Sequence, residues 1–517
     1  MRDTTPRTTQ GSRGLPHQAL VALLATGLAM LLAACGGGGG NPGTCKGSDA
    51  VCAGTGGSGG SSGGAATGAT PIPTDPSLLP TASSAANVCT VEGQKLFTRA
   101  YLNENYLWYS EVPVVDSTRY GSAASYFYSL LVTTPDNQGR PKDRFSFVAS
   151  LTDADTIATG ANIGYGVRWS LDTQGRYRAA YVTAGSPAAA AGLARGGELL
   201  QVISSNADSW SPNAAGATIT FSYRNTPADT ARTITLTAAA VQDNPVPQVG
   251  TLASSGGRKV GYVVFNAHVS GAQDQLITAL SQLQAQAIDD LVLDLRYNGG
   301  GFLYTALSMA SMVASPAAEG KVFEQLQYND KRAAETAASV FRFSSKLQYG
   351  ESRYPAGTPL PQLGLPRLYV LTSGNTCSAS EAIVNGLRGL DVQVVLVGQT
   401  TCGKPYGFSR RDNCSLAYYP IEFRGVNAKQ FGDYSAGFPA SCTASDDFDH
   451  ALGDTAEGQL AAALYHVDHG SCPASATAKP AAVVASPAAR ARAQALLLPD
   501  PAAAPHVPGR IVLPRHP

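Results

Sequence analysis

The sequence predicts an α/β protein, and three observations carry the prediction. Val260 to Phe265, Leu291 to Leu295, Tyr369 to Thr372 and Val394 to Gly398 are short apolar runs of the kind buried on both faces of a sheet. Stretches with helical spacing lie between them: Gln273 to Gln286, and the segment opened by Ser378-Ala379-Ser380-Glu381. This alternation fills only the middle of a chain of 517 residues, whose Gly, Ala and Pro excess sits at the two ends. That length exceeds one core, so two or three domains are expected.

Residues 1–34 read as a targeting signal. Arg2, Arg7 and Arg13 form a positive start, and Leu20 to Leu32 is an apolar run too short for a comfortable span. The run ends in Leu32-Ala33-Ala34-Cys35, which resembles the bacterial lipobox. The resemblance implies acylation of Cys35 and anchoring to a membrane, and Gly36 in place of an aspartate implies the outer membrane of a Gram-negative cell. Residues 35–86 are Gly/Ser/Thr/Pro-rich and cannot offset their ordering entropy. They are expected to form a tether, with a typical reach of about 40 Å for ~50 residues.

Net charge is zero and charged residues are 14% of the chain, which argues against nucleic-acid partners. Eight cysteines follow Cys35, and in an exported chain an even number suggests disulfides. Near-neighbour pairing gives Cys45–Cys52, Cys402–Cys414 and Cys442–Cys472. No Cys/His spacing suggests zinc, and no metal or cofactor is expected.

Residues 87–155 read as helical, with a first helix carrying Leu96, Phe97, Ala100 and Tyr101 and stopped by Pro113, and a second from Ser122 to Leu131. In residues 156–245 the period changes to that of strands. Gly164-Tyr165-Gly166-Val167 opens one, Tyr177 to Thr183 is another, Ser186-Pro187-Ala188 starts a short helix, and Gly192 to Val202 turns into a third. This order resembles a PDZ domain in its permuted bacterial form. The resemblance makes Gly164, Tyr165, Gly166 and Val167 the loop that holds a peptide carboxylate. Residues 246–472 form the α/β core, with Glu319 to Gly364 expected as a β-rich insertion. Residues 473–517 form an Ala/Pro-rich tail in which Arg510 to Leu513 can add one strand.

Three features of the core bear on chemistry. Asp294-Leu295-Arg296-Tyr297-Asn298-Gly299-Gly300-Gly301 leaves a buried strand and enters a helix from Phe302 to Val313, exposing backbone N–H groups suited to an oxyanion. Taken alone it is a tight turn. Ser378-Ala379-Ser380-Glu381 is a capping box, and alone it is no more than that. Cys402-Gly403-Lys404-Pro405 is a turn whose lysine would ordinarily be solvated.

Together, and in this order behind the PDZ-like segment, the three resemble the C-terminal processing peptidases, the tail-specific family of serine endopeptidases. The likeness runs from about Asn162 to Asp454, and Cys402 to Phe408 with Asp446 to Asp454 resemble a lipoprotein branch of that family. It implies a core of the ClpP/crotonase-type α/β superhelix, with Ser378 as nucleophile and Lys404 as general base. Ala379, Gly299 and Gly300 would give oxyanion N–H groups, and protein or peptide substrates would be cut on the periplasmic side of the envelope. Lysine acts as a base only when neutral, and Pro405, Tyr406 and Phe408 are the apolar cover that would desolvate it.

The family's third residue, Asp or Gln, has no match in the motif. Phe408 stands in the Gln place, and Asp391 lies beside the Asp place as a candidate. Cys377 and a Ser378–His268 pair are rival arrangements. A non-catalytic peptide-binding lipoprotein and an apolar-ligand protein are the rival functions.

Overall fold

The computed structural model describes residues 71–207, 210, 212 and 215–474, together with the backbone of Ile511–Val512. The signal, Cys35 and the Cys45–Cys52 pair lie outside the described residues.

A six-stranded sheet organises the core. Its order is Cys442–Thr443, Gln393–Gly398, Arg367–Thr372, Asp290–Asp294, Lys259–Val264 and Gln248–Ala253. Every neighbouring pair is parallel except the last, which is antiparallel. Both faces are covered, so the strands read as unbroken apolar runs. Side-chain alternation divides them: Leu368 and Val370 join a cluster with the helices Ala272–Ala285, Leu303–Val313 and Ala379–Gly389. Tyr369 and Leu371 face the helix Gly458–His469 through Leu460, Ala463 and Leu464. The chain is thus of α/β class, and its parallel strands all deliver their C-terminal turns to one edge.

The helix Val91–Asn105 is capped by Thr90, whose side chain accepts from Gly93 N, and Ala123–Ser129 is capped by a Ser122–Ser125 box. The first helix ends well before Pro113, because Tyr106 onward turns away to reach the core: Leu107 N donates to Ile421 O at 2.8 Å. Phe97, Tyr101, Tyr106 and Phe127 pack with Phe408, Tyr418 and Tyr419 in one cluster. The helical region is therefore built onto the loops that follow residue 404. Residues 161–242 form a small antiparallel unit, a five-stranded sheet running from Val167–Leu171 to Arg232–Thr237 with the short helix Pro187–Ala190 against it. Its own core holds Tyr165, Trp169, Trp210 and Phe221.

Polar contacts join this unit to the sheet edge. Arg195 donates to Tyr297 Oη at 2.7 Å and to Asp446 Oδ1 at 2.8 Å. Arg296, fully buried, pairs with Asp294, Asp446 and Glu457. A guanidinium taken wholly out of water is tolerable only when so completely paired. The network fixes the segment that leads into the glycine turn.

Two expectations are corrected. The insertion from Glu319 is less β-rich than its aromatic content suggests: one strand, Val322–Tyr328, is followed by a helix, Ala333–Ala338, and a three-residue strand, Val340–Arg342. Ala-Ala-Glu-Thr-Ala-Ala is simply a good helix former. Cys402 and Cys414 are not paired. Among the described residues the disulfides are Cys89–Cys414, Cys377–Cys402 and the expected Cys442–Cys472. Sequence separation misled here, since Cys89 and Cys414 are 325 residues apart yet meet where the helical region docks.

Candidate active site

The strand Arg367–Thr372 ends in a turn stitched to the neighbouring strand end. Ser373 Oγ donates to Arg296 O, Thr376 Oγ1 donates to Leu295 O at 2.8 Å, and Cys377 N donates to Asn298 O at 3.1 Å. These bonds hold Ser378 at φ 58°, ψ −112°, a conformation that side-chain-bearing residues rarely adopt. Such strain costs on the order of 1–3 kcal/mol and persists only where the surroundings impose it. It lifts the Ser378 hydroxyl out of the capping geometry. Only the Glu381 half of the capping box forms, through Ser378 N to Glu381 Oε2 at 2.9 Å. Ser378 Oγ is buried with no hydrogen-bond partner among the described residues.

The glycine turn lies directly against it. A Cβ on Gly300 would sit 2.7 Å from Cys377 O, 2.9 Å from Ala379 N and 3.0 Å from Ser378 Cβ, and its φ is 94°. Space and conformation both demand glycine. Gly300 N, however, donates to Asn298 Oδ1 at 2.9 Å, so Gly300 is not an oxyanion donor in this arrangement and supplies proximity instead. Gly299 N and Ala379 N make no such bond among the described residues. Replacing Gly300 by alanine is expected to cut activity at least ~100-fold, because it displaces the turn that carries these donors. Cleavage assays on variant and parent, matched by circular dichroism, check this.

Lys404 is fully buried, with Nζ 4.1 Å from the Phe408 ring centroid and 5.2 Å from that of Phe145. Phe408 is thus an apolar wall rather than a polar third member. Phe145 belongs to the helical region and carried no signal in the sequence. Its neighbour Arg144 donates to Gly403 O at 3.2 Å, clasping the lysine turn from outside.

Glu381 joins the two turns. Its Oε2 accepts from Ser378 N at 2.9 Å and Lys404 N at 2.8 Å, and its Oε1 accepts from Gly403 N at 2.9 Å and Thr401 Oγ1 at 2.5 Å. One oxygen therefore bounds the separation of the two backbone nitrogens. Burial pushes the Glu381 carboxyl up, and its hydrogen bonds to Thr401, Lys404, Ser378 and Gly403 pull it back down. The Cys377–Cys402 disulfide, Cα–Cα 5.2 Å, is a second tie between the same turns. Cys377, Cys402 and Glu381 cluster closely enough to suggest metal ligands, but disulfide sulfurs have no thiolate to offer. The same bond removes Cys377 as a nucleophile.

Asp391 is corrected as a candidate. It lies past the far end of the helix Ala379–Gly389, whose 11 residues alone carry the chain about 16 Å from Ser378. Its carboxylate is exposed and paired with Lys429. His268 is buried, with Nδ1 at 3.0 Å from Asn298 Oδ1, and burial pushes its imidazole down to about 3. It steadies the Asn298 side chain that holds the glycine turn. In the small β unit, the Gly164–Val167 loop is fixed by Ala188 N to Tyr165 O at 2.9 Å and Thr183 N to Gly166 O at 2.8 Å.

A buried serine on a strained strand-to-helix turn thus faces a glycine turn and is tied through Glu381 to the turn of a buried lysine. Residues 259–412 match the model of peptidase family S41, and residues 93–147 match the peptidase S41 N-terminal domain. These two segments, the helical region and the larger part of the core, are thus similar to domains of peptidase family S41.

A carboxyl-terminal-processing protease of Picosynechococcus sp. is 31% identical over 189 residues, which are 37% of this chain. The match spans 39% of that relative's length. A crystal structure assigned as an S41 protease from Bacteroides fragilis superposes with a TM-score of 0.55 at 23% identity. It covers 72% of this chain and 97% of its own. That likeness is one of fold alone.

Proposed function

We propose that the chain is a Ser/Lys endopeptidase acting on exported proteins. The carrying observation is the Ser378 hydroxyl: buried, without a hydrogen-bond partner among the described residues, and roped by one carboxylate to the turn of a buried lysine. Lys404, as the neutral amine that a low-dielectric site favours, takes the Ser378 proton as Oγ attacks the scissile carbonyl carbon. The oxyanion is met by Ala379 N–H and Gly299 N–H, each such donor being worth about 3–4 kcal/mol. The C–N bond then breaks, the leaving amine carries away the proton from Lys404, and water hydrolyses the acyl ester. The small β unit is read as a PDZ domain whose Gly164–Val167 loop engages a substrate carboxylate. Cys35 is read as the lipid anchor, holding the enzyme at the periplasmic face of the outer membrane.

A fluorophosphonate probe followed by peptide mapping tests the assignment. The expected result is a label on Ser378, lost in Ser378→Ala, in a preparation that cleaves an unfolded protein. Cleavage that persists in Ser378→Ala would overturn it.

A further inference from the structure

The strand Ile511–Val512 lies far from the α/β core in sequence but against the glycine turn in space. Ile511 stands opposite Gly301 and Val512 opposite Phe302, in parallel. The other edge of Gly301–Phe302 is already taken by His268, whose carbonyl accepts from Phe302 N at 2.8 Å. The added strand also lies against Tyr406–Gly407, the strand that follows Lys404. It therefore runs between the glycine turn on the Ser378 side and the segment leaving Lys404. An extended peptide that adds as a strand to a sheet edge is a general mode of peptide recognition, with main-chain hydrogen bonds supplying the affinity.

The local sequence suits the task. Ile511 and Val512 are β-branched, a residue type that favours strands, and in the sequence they stand between Pro508 and Pro514. The stretch 475–510 is long enough to bring the segment back to its own active site, since each residue spans up to ~3.3 Å.

We propose that this segment is itself a substrate, held in the cleft as an added strand, competing with other peptides and cut between Arg510 and Leu513. The cut is the acyl transfer described above: Ser378 Oγ displaces the amine of the following residue, and water releases the new carboxylate. The proposal rests on the Ser/Lys reading, and its test separates the two.

The full chain and its Ser378→Ala variant are incubated and weighed intact. A second pair, both Ser378→Ala, one full-length and one ending at Val507, is titrated with a fluorescent synthetic peptide of residues 508–517. Loss of the residues after the cut in the parent alone, and at least ~10-fold tighter peptide binding by the truncated protein, are expected. A parent that labels with fluorophosphonate and cleaves unfolded protein, yet keeps its full mass, overturns the proposal and leaves the Ser/Lys reading standing. Unmasked peptide binding without any Ser378 label has the converse meaning: the strand occupies the cleft, and the Ser/Lys reading falls.

Discussion

Replacing Lys404 by methionine is expected to lower the rate of peptide cleavage at least ~10³-fold with little change in the fold. Methionine preserves most of the apolar stem between Phe145 and Phe408, and the tie from residue 404 N to Glu381 is a backbone bond that the substitution leaves in place. The loss should therefore fall on kcat rather than on KM. Lys404→Arg is expected to be as inactive, since a guanidinium keeps its charge but cannot give up a proton to become a base. A merely electrostatic role would let arginine rescue.

The pH profile separates lysine from histidine. Burial holds His268 at about 3, against an ordinary 6.5, so it stays neutral throughout the working range and contributes no limb there. Its folded value is depressed, so the unfolded chain binds the proton more readily. The stability contribution of His268 is intact above about 6.5 and falls as pH drops toward 3. An activity limb near neutrality that survives in Lys404→Met would sink the lysine assignment.

Much of the core was legible because its chemistry is local. Runs such as Leu368 to Leu371 need burial on two faces, and a parallel sheet is what supplies it. Gly300 was legible as a turn, but its contact with Ser378 was not, because that contact depends on how two strand ends lie side by side. The same limit hid Phe145 and the Cys89–Cys414 bond, both of which depend on where the helical region docks. Glu381 was visible as the fourth residue of a capping box, and that reading concealed its larger part. A cap satisfies one helix terminus, whereas this carboxylate also holds a turn more than twenty residues further along the chain. Asp391 is a candidate by its place in the sequence motif alone. The helix carries that position about three turns away, to solvent.

Glu381→Ala is expected to give the largest combined loss, of stability and activity together. Ser378 N, Gly403 N, Lys404 N and Thr401 Oγ1 would all lose their acceptor inside a fully buried site. Each unsatisfied buried donor costs about 1–3 kcal/mol, and since neighbouring losses do not add fully, a total on the order of 4 kcal/mol is expected by denaturant titration. Glu381→Gln keeps the shape and one acceptor oxygen but turns an NH₂ group toward other donors. It should cost about half as much stability and still lower cleavage ~10²-fold, because the lysine turn no longer seats against the serine turn.

The carboxyl's raised folded value has a definite consequence. The folded chain keeps this proton to higher pH than the unfolded chain does, so the group's contribution declines as pH rises above 4.5 and does not drive acid unfolding. The Cys377–Cys402 disulfide survives in both variants, so the turns stay covalently linked while their alignment is lost. If Glu381→Ala folded with parental stability and turned over at the parental rate, the disulfide alone would be setting the geometry, and Glu381 would be only the cap that the sequence suggests.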